Sequence, residues 1–435
     1  MKKIHIGLLG FGTVGSGMVK ILLENHEVIE SRLGASLALK WIAARNLERD
    51  RGIAVDAGLL TTDAEKVVDD PAVDIVVELI GGYEPAKRFI LKAIENGKQV
   101  VTANKALLAA HGNEIFSAAL RKGVEVGFEA SVGGGIPLIR SIKEGLAANH
   151  IQSLFGILNG TANYILTKMT DQGRPFSDVL KEAQALGYAE ADPTFDVEGI
   201  DTAHKLTILL GIAYGVPMDF KAVYTEGISK ITPLDIKFIK EFGYRIKLLA
   251  ISKDDGEAIE ARVHPTLIPA DSMLASVNEA YNALYVKGDA VGNVMFYGPG
   301  AGMMPTGSAV VSDLVDVARN IIRGAIGRVP SLGYEPTRVK ARRIKLIEEL
   351  ETEYYFRVSA EDRPGVLSKI AGILGKHEIS IKSVHQKGRD IVGAVPLVMI
   401  THEAREAAVR MALSEIDELD VVKDETVLIR IEDWR

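Results

Sequence analysis

The densest run of chemically capable side chains starts at Gly187-Tyr188-Ala189-Glu190-Ala191-Asp192-Pro193. It continues through Asp196, Gly199 and Asp201 to Lys205. Asp201 and Lys205 are four residues apart, so a helix there would show both on one face. On a solvated surface such a pair contributes roughly a few tenths of a kcal/mol. In a pocket, a lysine ammonium can give its proton to an oxygen that is gaining negative charge. A second lysine, Lys105, ends the run Thr102-Ala103-Asn104-Lys105. A free lysine titrates near about 10.4, so accepting a proton at neutral pH requires that value to be lowered. Burial or a second ammonium would lower it, and we expect Lys105 and Lys205 to lie close and depress one another.

A third motif supplies different chemistry. Gly10-Phe11-Gly12-Thr13-Val14-Gly15 fits G-x-G-x-x-G, after an apolar run at 4–9 and before a helical stretch at 13–33. In that context the first glycine permits a tight turn, the second lets the backbone approach a pyrophosphate, and the third lets helix pack on strand. The N–H groups at the helix start then face the phosphates. A strand at 36–44 leads into Arg45 and carries no acid for a ribose 2′-hydroxyl. Arg45 suits a 2′-phosphate, which favours NADP over NAD.

The elements that must position these groups fall into three units. Strands at 73–80 and 99–102, with a helix at 85–96 between them, extend the first into a βαβ pattern with a parallel sheet. A further strand is expected at 124–129. Lys105 and Thr102 then sit at the carboxyl end of a strand, where open α/β sheets bind ligands. In the middle, helices at 142–149, 164–172, 176–186 and 202–214 mix with strands at 153–158, 244–251, 257–265, 283–288 and 292–297. A helix at 308–324 returns toward the first unit. A charged stretch at 339–353 reads as a linker. From 354 the order is strand, helix, strand, strand, helix, strand, as in ferredoxin-like folds.

Composition sets outer bounds. The chain has 435 residues, 47% hydrophobic and 25% charged, which suits a globular protein of several domains. A net charge of −7 without a basic run argues against a nucleic-acid binder. Cysteine is absent, which removes disulfides, thiolate metal sites and a cysteine nucleophile. Neither a signal peptide nor a membrane span is legible, so a cytoplasmic protein that does not bind membranes is expected.

The motifs GFGTVG, TANK, FEASVGGGIP, NGTANYIL, GYAEADPTFDVEGIDTAHKL and GPGAG, in this order, resemble homoserine dehydrogenases over essentially the whole chain. Asp362-Arg363-Pro364-Gly365-Val366-Leu367 resembles the ligand turn of an ACT domain. The resemblance implies a Rossmann-like doubly wound domain at 1–130, completed by about 300–335. It also implies an α+β substrate-binding and dimerisation domain at 131–300, a linker at 336–353 and a ferredoxin-like ACT domain at 354–435. The implied reaction interconverts L-homoserine and L-aspartate 4-semialdehyde with NAD(P), in threonine, methionine and isoleucine biosynthesis. Lys205 would be the acid/base, with Lys105 assisting near the nicotinamide. Glu190 and Asp201, with Asp196, would bind the substrate. Gly187 and Gly302 would line the cleft, and Thr102 would join Gly10 to Gly15 and Arg45 at the cofactor. Glu129, with the backbone carbonyls of Val132, Gly134 and Ile136, would hold a sodium ion. Asp362 and Gly365 would bind threonine as feedback inhibitor, in a homodimer or homotetramer.

Two rivals remain at this point. One is another Rossmann dehydrogenase with an ACT tail, such as phosphoglycerate or prephenate dehydrogenase. Those rely on a histidine, and His204 is the only one beside the acidic run. The other is a non-catalytic cofactor sensor, which would have no use for Glu190, Asp201 and Lys205 together. Aspartate-semialdehyde dehydrogenase acts on the same aldehyde through a cysteine, which this chain lacks.

Overall fold

A computed structural model describes residues 2–386 and 394–433; Met1, 387–393 and the final two residues of the 354–435 unit lie outside the described residues. The apolar runs of the N-terminal third become β1 (Lys3–Leu9), β2 (Ser36–Ala43), β3 (Leu60–Thr61), β4 (Ile75–Glu78), β5 (Gln99–Thr102) and β6 (Val126–Gly127). They form one parallel sheet in the order β3-β2-β1-β4-β5-β6. The order reverses between β1 and β4, which puts the ligand crevice outside the carboxyl ends of those two strands. Helices α1 (Thr13–Glu24), α2 (His26–Leu33), α3 (Ala64–Asp69), α4 (Ala86–Glu95) and α5 (Lys105–Lys122) complete the Rossmann-like layer.

Three of the departures from the expected boundaries have a clear local cause or form. The stretch at 13–33 is two helices, broken at Asn25, whose φ of −106° and ψ of 18° leave the helical region. The strand expected at 124–129 stops at Gly127, because the chain turns to follow Glu129. The Glu129 N–H donates to Asp313 at 2.8 Å, and its carboxylate caps the N–H groups of Ile139 and Arg140. The helix expected at 142–149 is instead α6 (Leu138–Arg140) running into a wider π turn at Ser141–Gly145.

The middle unit contains β7 (Ile151–Ile157), α7 (Gly160–Gln172), α8 (Phe176–Ala185), α9 (Thr194–Val197) and α10 (Ile200–Tyr214). It continues with β8 (Tyr224–Thr225), α11 (Pro233–Glu241), β9 (Tyr244–Asp254), β10 (Ala258–Pro269), β11 (Tyr281–Gly288) and β12 (Gly292–Pro299). Every residue of α10 from Asp201 to Tyr214 is buried; its second half is apolar on all sides, while its first half carries Asp201, His204 and Lys205. Then α12 (Met303–Arg323) crosses back onto α1. A Cβ on Gly17 would lie 1.9 Å from the Met303 carbonyl oxygen, so only glycine allows that crossing.

The C-terminal unit is β13 (Arg343–Ile344), β14 (Glu351–Glu361), α13 (Val366–Lys376), β15 (Ile381–Gln386), β16 (Ala394–Thr401), β17 (Ala404–Arg405), α14 (Glu406–Asp417) and β18 (Val427–Ile431). It does not hang from a tether. β18 pairs in parallel with β10, giving one sheet in the order β12-β11-β7-β9-β10-β18-β14-β16-β15. The charged stretch at 339–353 is likewise fastened down: β13 pairs with β10, Arg342 bonds Asp254 at 2.6 Å, and Lys345 reaches Asp255 at 2.8 Å.

At the joint, Arg430 is 1% exposed and makes paired bonds to Glu406 and to Glu226, the latter on the loop after β8. Deleting one member of a buried ionic set leaves the others uncompensated. Arg430→Met should therefore cost about 3–5 kcal/mol. Urea unfolding followed by circular dichroism checks this, and an unchanged midpoint would contradict it.

Candidate active site

The cradle is built as the motif requires. Gly10 has φ of 104°, and a Cβ there would lie 2.5 Å from the Leu79 carbonyl oxygen. Gly12 has open space around its Cβ position, and Gly15 lies against the carbonyl of Gly10. Gly12 is the N-cap of α1 without a side-chain cap, so the first N–H groups of the helix stay available to an anion. A cleft of about 740 Å³ opens there, lined by Phe11, Arg45, Arg49 and Arg51 among others. Arg45 is exposed. Arg51, which sequence reading missed, is held by the carbonyls of Phe11, Arg49 and Asn46, and its guanidinium stacks 4.5 Å from the Phe11 ring.

A second pocket of about 540 Å³ contains Thr13, Val14, Lys105, Gly187, Asp196, Asp201, Lys205 and Gly302. The start of the cradle helix and the lysine-carboxylate group thus face one space. Thr102 does not reach it. That side chain is fully buried, with its hydroxyl donated to Glu78.

Asp201 is the centre of the pocket. It is 3% exposed; Lys105 Nζ lies 2.5 Å from its Oδ1 and Lys205 Nζ 2.7 Å from its Oδ2. Lys205 also donates to the Leu158 carbonyl at 2.5 Å. The two ammoniums hold the Asp201 carboxyl well below the usual carboxylate range, overriding the upward push of burial. Burial lowers Lys205, and the neighbouring Lys105 charge adds to that against the pull of Asp201. Lys105 goes the other way. Burial pulls it down, but Asp201, by charge and hydrogen bond, raises it above its ordinary value. Mutual depression of the two lysines is therefore only half right, because a shared carboxylate stands between them.

Asn159 completes the group. As N-cap of α7 its Oδ1 accepts the Ala162 N–H, while its Nδ2 donates to Asp196 at 2.7 Å and Asp201 at 2.9 Å. Burial raises the Asp196 carboxyl against that bond, and nearby Asp201 adds to the rise. Glu190 is exposed on the loop after α8, close enough for its charge to raise Lys105. Its loop is fixed by Gln184, which donates to the Glu190 carbonyl at 3.1 Å. His204 packs between the rings of Phe195 and Phe220, at 5.3 and 4.3 Å between centroids, and is buried. It offers nothing to the pocket, which removes the basis for a histidine-dependent reading.

The loop proposed for a cation is partly committed. Glu129 spends its carboxylate on Ile139 and Arg140, so its backbone carbonyl is what it has left to offer. The Ile136 carbonyl accepts the Leu138 N–H at 2.8 Å. Burial raises the Glu129 carboxyl and, with the Glu129 charge, pushes Asp313 up to about 7. Among the described residues no group of three or more His, Cys, Asp or Glu side chains is arranged to hold a metal. No helix of the described residues is long and apolar enough to cross a membrane. In the C-terminal unit, Asp362 is exposed and Gly365, with φ of 89°, is the N-cap of α13.

Comparison with known proteins assigns the three units separately. Residues 10–129 match the family described as homoserine dehydrogenase, NAD binding domain; 137–315 match homoserine dehydrogenase; 354–418 match the ACT domain. A homoserine dehydrogenase of Pseudomonas aeruginosa is 51% identical over 99% of both chains. The crystal structure of a homoserine dehydrogenase from Thiobacillus denitrificans superposes with a TM-score of 0.94 at 52% identity, covering 100% of this chain and 99% of that one. A hyperthermophilic archaeal homoserine dehydrogenase in complex with NADPH aligns at 26% identity and a TM-score of 0.63, covering 72% of this chain and 97% of that one.

The charge balance makes a prediction of definite sign. Lys105→Met removes a positive neighbour of Lys205 and leaves Asp201 to Lys205 alone. Both effects favour the ammonium, so the Lys205 pKa should rise. NMR titration of the lysine side chains reads this directly, and a fall or no change would contradict the account.

Proposed function

The chain belongs to the homoserine dehydrogenase family, and we propose that Lys205, poised by Asp201 and Lys105, is its acid/base. The protein is an NAD(P)-binding oxidoreductase of amino-acid biosynthesis with a C-terminal ACT domain. The observation that carries the mechanistic reading is the single buried carboxylate bridging two lysines beside the cradle. A bound nicotinamide supplies or accepts the hydride. When aspartate semialdehyde is reduced, negative charge grows on its carbonyl oxygen, and the Lys205 ammonium stabilises that charge and delivers the proton. In the oxidation of homoserine, Lys205 takes the hydroxyl proton, which its lowered pKa favours. Two N–H groups of Lys205 are held by Leu158 and Asp201, so the third is directed by the first two. With both oxygens of Asp201 engaged by lysines, Asp196 and Glu190 are the carboxylates left for the substrate ammonium.

Lys205→Met should lower kcat in both directions by about 10²–10⁴-fold with NADPH affinity retained. Rates with homoserine and with aspartate semialdehyde, beside fluorescence titration of NADPH, test it. A variant as active as the parent would end the assignment.

For the cofactor, NADP preference is supported by three arginines, Arg45, Arg49 and Arg51, on the wall of the cleft and no acid at the end of β2. Arg45→Ala should weaken NADPH while leaving NADH nearly unchanged, and equal loss for both would refute the preference. A sodium ion would be held by the backbone carbonyls of Glu129, Val132, Gly134 and Ile136, an oxygen-only set that suits a hard cation. A cation there would also offset the raised Glu129 and Asp313 carboxyls. Threonine would bind at Asp362 and the open start of α13 at Gly365, and β12 and β15, which end the long sheet, offer edges for self-association. Homoserine oxidation should fall with added threonine in the full chain and not in Asp362→Ala. Equal sensitivity of the two would remove that site.

A further inference from the structure

One buried ionisable side chain beside the cofactor cleft has no part in the mechanism above. Glu78 ends β4 and is 0% exposed. No cationic side chain pairs with it among the described residues; its partners are all neutral donors. Its Oε1 accepts the N–H groups of Ile80 at 2.7 Å and Gly81 at 3.2 Å. Its Oε2 accepts the Thr102 hydroxyl at 2.7 Å.

Each arm leads to one half of the active site. The first holds the turn after β4, and the cradle rests on that turn: a Cβ on Gly10 would lie 2.5 Å from the Leu79 carbonyl oxygen and 2.9 Å from the Ile80 nitrogen. The second leads to Lys105. Thr102 Oγ1 accepts the Asn104 N–H at 3.0 Å. The Asn104 side chain donates to the Gly82 carbonyl at 2.7 Å and accepts the Leu107 N–H at 3.2 Å, capping α5. Lys105 is the first residue of α5. An uncompensated carboxylate in this place is costly unless its bonds are needed, since burying it satisfies no packing demand that an apolar side chain could not meet.

We propose that Glu78 is a positioning residue that couples the cofactor cradle to the Lys105 ammonium. Its two oxygens fix the turn under the cradle and the turn that starts α5 at one separation. The bound nicotinamide and the Lys105–Asp201–Lys205 group are thereby held in register. The proposal rests on the reading of Lys105 as part of the catalytic group, and its test separates the two.

The two arms can be cut independently. Glu78→Ala cuts both, so NADPH affinity and kcat should each fall. Thr102→Val cuts only the arm toward Lys105. It should lower kcat by about 10–100-fold, the scale of a misplaced catalytic group, with NADPH affinity unchanged by fluorescence titration. It should also shift the acidic limb of the pH profile of homoserine oxidation upward, as Lys105→Met does, because Lys205, which must be deprotonated to act as base, loses the same positive neighbour. Thr102→Ser keeps the hydroxyl and should restore both kcat and the limb. Lost thermal stability alone would move neither the limb nor the split between affinity and turnover.

The proposal is overturned if Thr102→Val keeps its kcat, if Thr102→Ser restores nothing, or if Glu78→Ala binds NADPH as the parent does. A limb that moves in Lys105→Met but not in Thr102→Val also overturns it. A limb unmoved in Lys105→Met counts against the reading of Lys105 instead. The NADPH comparison between Glu78→Ala and Thr102→Val then still decides the role of Glu78. Should Glu78→Ala fail to fold, Glu78→Gln takes its place. There the amide would face Thr102, whose hydroxyl then lacks an acceptor, and kcat should fall as in Thr102→Val; a parental kcat would overturn the proposal.

Discussion

The candidate active site depends on one buried carboxylate that satisfies two ammoniums. Asp201 brings Lys105 from the Rossmann-like domain and Lys205 from the middle domain to opposite oxygens of one group. Without it, two lysines facing one pocket would repel across a desolvated gap, and burial would drive both toward the neutral form. With it, the lysines diverge: the more buried Lys205 stays lowered and Lys105 is raised. In the mechanism proposed, that divergence lets one lysine move a proton while the other remains a fixed positive charge. The same ion triad is also a clasp between domains, since Lys105 starts α5 and Asp201 starts α10.

Everything around Asp201 serves to hold it still. Asn159 bonds it from the start of α7, and α10 behind it is buried along its whole length. The helix enters at Gly199 with φ of 78°, where a Cβ would meet Val263 at 3.1 Å and the Glu226 carbonyl at 3.2 Å. The loop after β8 therefore presses directly on the turn between α9 and α10. Rigid support of this kind is what a charge-poised site needs, because a small displacement in low dielectric changes the pKa of every member.

Much of this was legible in the chain. The cradle announced itself because its three glycines act locally, on residues next to them in sequence. Asp201 and Lys205 were legible as a pair because helical spacing is a local rule. The three units followed from alternating strand and helix patterns. What was not legible came from contacts between distant residues. Asn159 reads only as a helix cap until the fold brings Asp196 and Asp201 to its amide. Glu78 reads as the end of a strand until Thr102 arrives from β5. Thr102 itself looks like a cleft residue until its side chain turns inward. Arg49 and Arg51 follow Arg45 in a loop whose shape no periodicity encodes. The pairing of β18 with β10 spans more than 160 residues of chain and has no local signature at all.

That last pairing changes what the C-terminal domain is. A module on a flexible linker could shift without disturbing its neighbour, but this one shares a sheet with the middle domain. Its last strand carries Arg430, which is bonded to Glu226, and the backbone of Glu226 and Gly227 lies against the turn that starts α10. In that turn a Cβ on Gly227 would come within 2.5 Å of the Val197 carbonyl oxygen. Packing of this tightness has no slack, so movement of β18 has two outcomes only. Either it carries the Glu226 loop with it and displaces the base of α10, or it breaks a buried ion pair and leaves Glu406 and Glu226 to be compensated by Arg410 alone. The shorter archaeal relative aligns with only 72% of this chain, so the fold can be built with far less than is present here. In this protein β18 is joined to the sheet that lies behind α10.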